Sequence, residues 1–147
     1  MEGELAGAVG QRVTVRKTVS ESDIYLFSGI TGDFSPSHID EAFMRGTQYG
    51  RRIAHGALLV GYMSRASTMI VETLTGEDAS VYPVSLGCDR VRFLKPVFIG
   101  DTITVTYVVT TSDGAKGRTS ATIEAVNQAG EVVATTHIMK WLPRSPA

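Results

Sequence analysis

The run Ala57-Leu58-Leu59-Val60-Gly61-Tyr62-Met63-Ser64-Arg65-Ala66-Ser67-Thr68-Met69-Ile70-Val71 limits this chain to few architectures. Its length and residue types predict a helix over 57–71. The first two turns are apolar on nearly every side, where a surface helix would show a polar stripe. Such a helix needs protein around most of its circumference, and Gly61 and Ala66 are expected to let backbone approach closely. After Gly76 the pattern changes. Strands are predicted over 84–93, 101–111, 118–126 and 131–141, with Pro96, Ser112-Asp113-Gly114 and Asn127-Gln128-Ala129-Gly130 as stops and turns. Short turns between successive strands predict an antiparallel meander. A greasy helix and a curved antiparallel sheet solve each other's burial problem if the sheet wraps the helix, which makes the fold class α+β.

Upstream, Val13 and Val15 alternate with Arg12, Thr14 and Arg16, the pattern of a short strand. Ser20 with Asp23 opens a helix in the manner of a capping box. Ile24, Leu26 and Phe27 give that helix its apolar contacts, and Gly29 and Gly32 are expected to end it. Asp40 caps a second, short helix over 41–45, and 46–52 form a polar connection. Residues 1–10 are small, Gly-rich and expected to fray. No repeat, low-complexity tract or linker divides the chain, so residues 1–147 are read as a single domain.

Bulk properties remove several function classes. A net charge of -1 gives no global basic field for nucleic acid. Cys88 is the one cysteine; it cannot form an intrachain disulfide and reads as a small core residue. The first residues lack the basic and apolar regions of a signal peptide. The longest apolar run, 53–63, is too short to span a bilayer. A reducing, cytoplasmic setting is the default expectation.

Chemistry concentrates between residues 32 and 56. Gly32-Asp33-Phe34-Ser35-Pro36-Ser37-His38-Ile39-Asp40 sets a carboxylate and an imidazole five positions apart, with Pro36 between them. The expectation is a stiff loop, the kind of segment on which a rigid scaffold presents reacting groups. A histidine near a carboxylate can exchange the roles of acid and base near neutral pH. Further on, Ile53-Ala54-His55-Gly56 leads into the apolar helix. The free N–H groups and positive end of a helix start favour an oxygen carrying negative charge, and Gly56 has no Cβ to hold a carbonyl away from its N–H. Singly, each residue has a plainer reading: Asp33 as a turn residue, His55 as a cap, Ser64 as a back-bonded helix serine. His137 reads as structural, and Arg51, Arg52, Lys95, Lys116 and Arg118 as scattered solvated cations. No metal-ligand spacing is visible, and Gly114-Ala115-Lys116 is too short for a phosphate loop.

Together, 32–40 and Ile53-Ala54-His55-Gly56-Ala57-Leu58 resemble the hydratase signature of the MaoC-like family, which includes (R)-specific enoyl-CoA hydratases and related acyl dehydratases. Element order extends the resemblance from about Val13 to Leu142, including Arg92-Phe93-Leu94-Lys95-Pro96-Val97-Phe98-Ile99-Gly100-Asp101. It implies a hotdog fold, a sheet curled around one long helix, paired into a homodimer with active sites at the subunit interface. It implies a catalytic Asp/His pair at Asp33 and His38 and an oxyanion donor at the Gly56 N–H. Ser64 corresponds to a serine near the catalytic water, with His55 and Ser35 as further substrate-binding positions. Ser35 stands where many members carry Asn. The substrate implied is an acyl-CoA or acyl-ACP thioester, with no cofactor, metal, nucleic acid or membrane. The acyl chain is expected near Met63, Met69 and the loop around Tyr82.

The reaction implied is reversible addition of water to a trans-2-enoyl thioester. Competing readings are a dehydratase acting on a 3-hydroxyacyl thioester of acyl carrier protein or CoA, a hotdog thioesterase, and a non-catalytic acyl-thioester-binding subunit.

Overall fold

The computed structural model describes residues 7–76 and 82–141. The chain opens with β1 (Arg12–Thr18), followed by helices α1 (Glu21–Thr31), α2 (Pro36–Ile39), α3 (Glu41–Arg45) and α4 (Gly56–Thr75), and closes with β2 (Val84–Phe93), β3 (Thr102–Asp113), β4 (Arg118–Val126) and β5 (Val132–Trp141). Local chemistry accounts for the helix ends. Ser20 and Asp23 form the full reciprocal capping box on α1, and Gly32 ends that helix in the left-handed conformation at φ 78°. Gly29 is passed over inside the helix. Asp40 accepts from the Phe43 N–H at 2.9 Å and so caps α3.

The five strands form one antiparallel sheet in the order β1-β3-β4-β5-β2. Only β3-β4-β5 is a meander. Strands β2 and β3, expected to be neighbours, lie apart, because the 94–101 connection crosses the sheet instead of turning back. Pro96 lies in that connection, and Ala54 N–H donates to Val97 O at 2.7 Å, with a further bridge between Ile53 and Phe98. The crossing segment is therefore pinned to the entry of α4.

One face of the sheet is dry. Ile103, Val105, Tyr107 and Val109 of β3 and Ala121, Ile123 and Ala125 of β4 point inward at every second position. Helix α4 lies over β1, β3 and β4 and buries Leu59, Met63, Ala66, Ser67, Ile70 and Val71 against that face. The wrapping is incomplete. Ala57, Gly61, Ser64 and Arg65 of α4 are exposed, and a Cβ on Gly61 would meet nothing within 4 Å. Gly61 thus relieves no crowding in this chain, whereas Ala66 is fully buried as expected.

The helix also leaves β2 largely uncovered. Cys88 pairs with Ile138 and shares its face, yet Cys88 is exposed while Ile138 is buried. The expectation of a core cysteine fails because the covering helix lies over the other side of the sheet. At the N-terminus, Ala8 is fully buried and the Gly10 N–H donates to Val109 O at 2.9 Å, so residues 7–10 are anchored and not frayed. Residues 1–6 lie outside the described set. Among the described residues no helix is long and apolar enough to cross a membrane.

Candidate active site

The segment from Asp33 to His38 is built by short-range hydrogen bonds. Thr31 Oγ1 donates to Phe27 O at 2.7 Å and accepts from the Asp33 N–H at 3.2 Å. Asp33 Oδ1 accepts from the Ser35 N–H at 3.2 Å, the Asx-turn role open to any aspartate here. A loop was expected throughout, but Pro36 at the first helical position starts the one-turn helix α2, and His38 sits on it. The ring of His38 is held from below: its Nδ1–H donates to Ile53 O at 2.8 Å, which leaves Nε2 free for proton exchange.

His55 precedes α4 in the N-cap position but makes no side-chain cap. Its ring turns back toward α1. Since Asp33 O can only accept, Nε2 carries the proton, donating to that carbonyl at 3.1 Å with Ser28 Oγ at 3.3 Å sharing the interaction. Phe27 packs on the ring at 4.7 Å, and the ring of His38 stacks on it at 3.7 Å and 29°. His55 is 2% exposed, and Nδ1 has no hydrogen-bond partner among the described residues. A buried acceptor without a partner costs about 1–3 kcal/mol. Burial pushes the His55 pKa below its ordinary value, the nearby His38 pushes the same way, and the hydrogen bond to Asp33 O and the Asp33 charge oppose them. The ring is neutral at pH 7.

A cleft of about 270 Å³ opens beside this stack. It is bounded on one side by His38, Tyr49, Ile53, Ala54, Gly56 and Leu59 and on the other by the run from Phe93 to Val97. Gly56 is the first residue of the twenty-residue α4, so its N–H has no partner inside the helix and stands at the positive end of the dipole. The absence of a Cβ has a further cause. A Cβ built on Gly56 would lie 2.8 Å from Cδ2 and Cε2 of Phe93, so the Phe93 ring occupies the space a side chain would take.

Of the six positions singled out from the sequence, His38 and Gly56 line the cleft. Asp33 is exposed, and one oxygen of its carboxylate lies within 4.8 Å of ring nitrogens of both His38 and His55. The other three do not line the cleft of a single chain. His55 is buried behind His38. Ser35 Oγ is paired with Ser37 Oγ at 2.9 Å. Ser64 is exposed on the uncovered face of α4. Met63, Met69 and Tyr82 do not line the cleft either: Met63 is a core residue and Tyr82 is exposed. Sequence reasoning assigned no role to Tyr49, Phe93, Leu94 or Pro96 as walls; only the crossing of 94–101 under the sheet brings the last three to the site.

Asp33, His38 and His55 also form a possible three-ligand cluster that linear spacing does not reveal. His55 Nε2 and His38 Nδ1 already direct protons at backbone carbonyls, so neither of those nitrogens offers a lone pair to an ion.

A sheet curled over one long helix is the hotdog fold, and here a carboxylate, an imidazole and a helix-start residue lie near the mouth of that helix. The model of the MaoC like domain matches residues 5–132, and the chain belongs to that family. It is 42% identical over 101 residues to an (R)-specific enoyl-CoA hydratase of Rhodospirillum rubrum, covering 69% of this chain and 65% of that protein, a little under two thirds of the relative's length. It is 32% identical to an (R)-specific enoyl-CoA hydratase of Aeromonas caviae over 92% of this chain and 95% of that one. The solved structure of the A. caviae (R)-hydratase involved in PHA biosynthesis superposes with a TM-score of 0.79 at 30% identity, covering 92% and 96% of the two chains.

Proposed function

We propose that this protein is an (R)-specific enoyl-CoA hydratase, adding water reversibly to a trans-2-enoyl thioester. The observation that carries the reading is the nearness at one helix mouth of the Asp33 carboxylate, the His38 ring with its Nδ1–H already engaged, and the Gly56 amide, which has no partner among the described residues. The relatives' names point the same way.

In this reading the thioester oxygen accepts from the Gly56 N–H, where the helix dipole favours the enolate charge that develops. Asp33 takes one proton from water as its oxygen bonds to Cβ. His38, as imidazolium, delivers a proton from Nε2 to Cα, and the hydroxyacyl thioester leaves with the atoms of one water added. The pair exchanges protons as a unit, so the reverse path runs through the same two groups. The water, the conjugated carbonyl and the acyl chain occupy the cleft between Ile53–Gly56 and the 93–97 wall. No cofactor enters any step; the CoA thioester is the substrate.

Turnover of crotonyl-CoA, followed by loss of enoyl-thioester absorbance, tests the assignment. Asp33→Asn and His38→Gln are each expected to lower kcat by about 10²–10⁴-fold. Near-wild-type turnover in both would remove the pair from the mechanism.

The working form in this reading is a homodimer joined at the β2 side. Strand β2 ends the sheet, and Val84, Leu86, Phe93 and Leu94, with Met139 of β5, leave an apolar surface exposed there, beside the cleft to which Phe93 and Leu94 also belong.

A further inference from the structure

We propose that His55 is a positioning residue: an uncharged pedestal that fixes both members of the catalytic pair and never meets the substrate. The inference rests on the hydratase reading for its kinetic consequence but not for its geometry. Three contacts carry it. The Nε2–H of His55 donates to the main-chain carbonyl of Asp33 and so sets where that residue's carboxylate starts. The face of the ring lies under His38 at 3.7 Å, which fixes the tilt of the imidazole whose edge is held by Ile53 O. The ring is itself walled in by Phe27 and Ser28 of α1, a rigid helix capped at both ends. His55 thereby couples two residues that share no direct hydrogen bond among the described contacts.

Neutrality is part of the design. A charge on His55 would face the His38 charge across a stacking distance, away from water, where repulsion is strongly felt. A neutral ring leaves His38 free to take the proton it must hand on. Its bare Nδ1 faces no donor, so the ring has the single tautomer that serves the Asp33 carbonyl.

The test separates positioning from substrate contact. His55→Gln keeps a donor within reach of Asp33 O but removes the ring under His38, while His55→Phe keeps a ring and removes the donor. Each is expected to lower kcat on crotonyl-CoA by about 10²-fold, the scale of a misplaced reacting group, with KM changed less than about twofold. A rise in KM at unchanged kcat would make His55 a substrate ligand and overturn the proposal, as would unchanged kinetics in both variants. Wild-type protein supplies a second readout that needs neither variant to fold nor any turnover. Nitrogen-15 NMR at neutral pH should show His55 as the neutral Nε2–H tautomer and His38 as ring-current-shifted by it. An Nδ1–H or doubly protonated His55, or an unshifted His38, would overturn the pedestal. If wild type fails to hydrate enoyl-CoA, the hydratase reading falls while this spectrum still decides the geometry.

Discussion

His55 holds its place at an energetic cost that pH makes measurable. Its pKa is depressed in the folded chain, mainly by burial, while the unfolded chain titrates near 6.5. Between those two values the unfolded state binds more protons, so stability rises with pH through the window and is fully present above about pH 6.5. Acidification below that point is therefore expected to lower Tm. Thermal melts from pH 8 to 5 should show this slope in wild type and a flatter one in His55→Gln. The titratable groups facing the ring are Asp33 and His38. At this scale Asp33, His38 and Gly56 were legible because their chemistry is local: a turn, a proline-set helix start and a helix N-terminus. The part played by His55 was not, since stacking on His38 depends on a chain reversal that leaves no periodic trace. The scattered-cation reading of Arg52 failed for the same reason.

Arg52 belongs to the scale of elements. Its side chain is 14% exposed and forks between three partners: Nη2 donates to both carboxylate oxygens of Glu21 of α1 at 2.7 and 3.0 Å, Nε to Glu41 of α3 at 3.2 Å and Nη1 to Tyr25 Oη at 3.3 Å. Those bonds, Glu21 foremost, outweigh desolvation and raise the guanidinium pKa further. One guanidinium thus ties α1 and α3 to the connection that delivers His55 and Gly56. Arg52→Ala is expected to destabilise the chain by about 1–3 kcal/mol, the range for charge-assisted hydrogen bonds, and Arg52→Lys to recover only part because an ammonium cannot fork. Urea midpoints at unchanged m would measure both. Helix positions were readable at this scale because capping residues mark them: Ser20, Asp40 and Gly32 all act where their chemistry requires. Strand positions were readable too. Strand order was not, because alternation says which face is buried and nothing about which neighbour covers an edge; a crossing connection reads in sequence much like a long turn.

For the whole molecule, the uncovered side is the informative one. Helix α4 covers the β1–β3 side of the sheet, reaching β4, and leaves β2 and its own Ala57–Gly61–Ser64 face open. That is why the wrapped-helix expectation, correct in outline, overstated the burial of Cys88 and Gly61. If the β2 side is the dimer surface, Leu86→Lys should convert the assembly from two copies to one in light scattering, with the Tm of the single chain little changed because Leu86 is 45% exposed. A chain already monomeric as wild type would refute that interface.

The connection between β2 and β3 ties the site to the topology. It supplies the 93–97 wall, and its hydrogen bond to Ala54 locks that wall to the residues just before Gly56. Contacts between parts of a chain this distant in sequence carry a loop-closure cost that local helices do not. The cleft is therefore expected to form late in folding: a chain with every helix in place but the crossing strap not yet laid would hold its acid and its imidazole with no far wall to press a substrate against them.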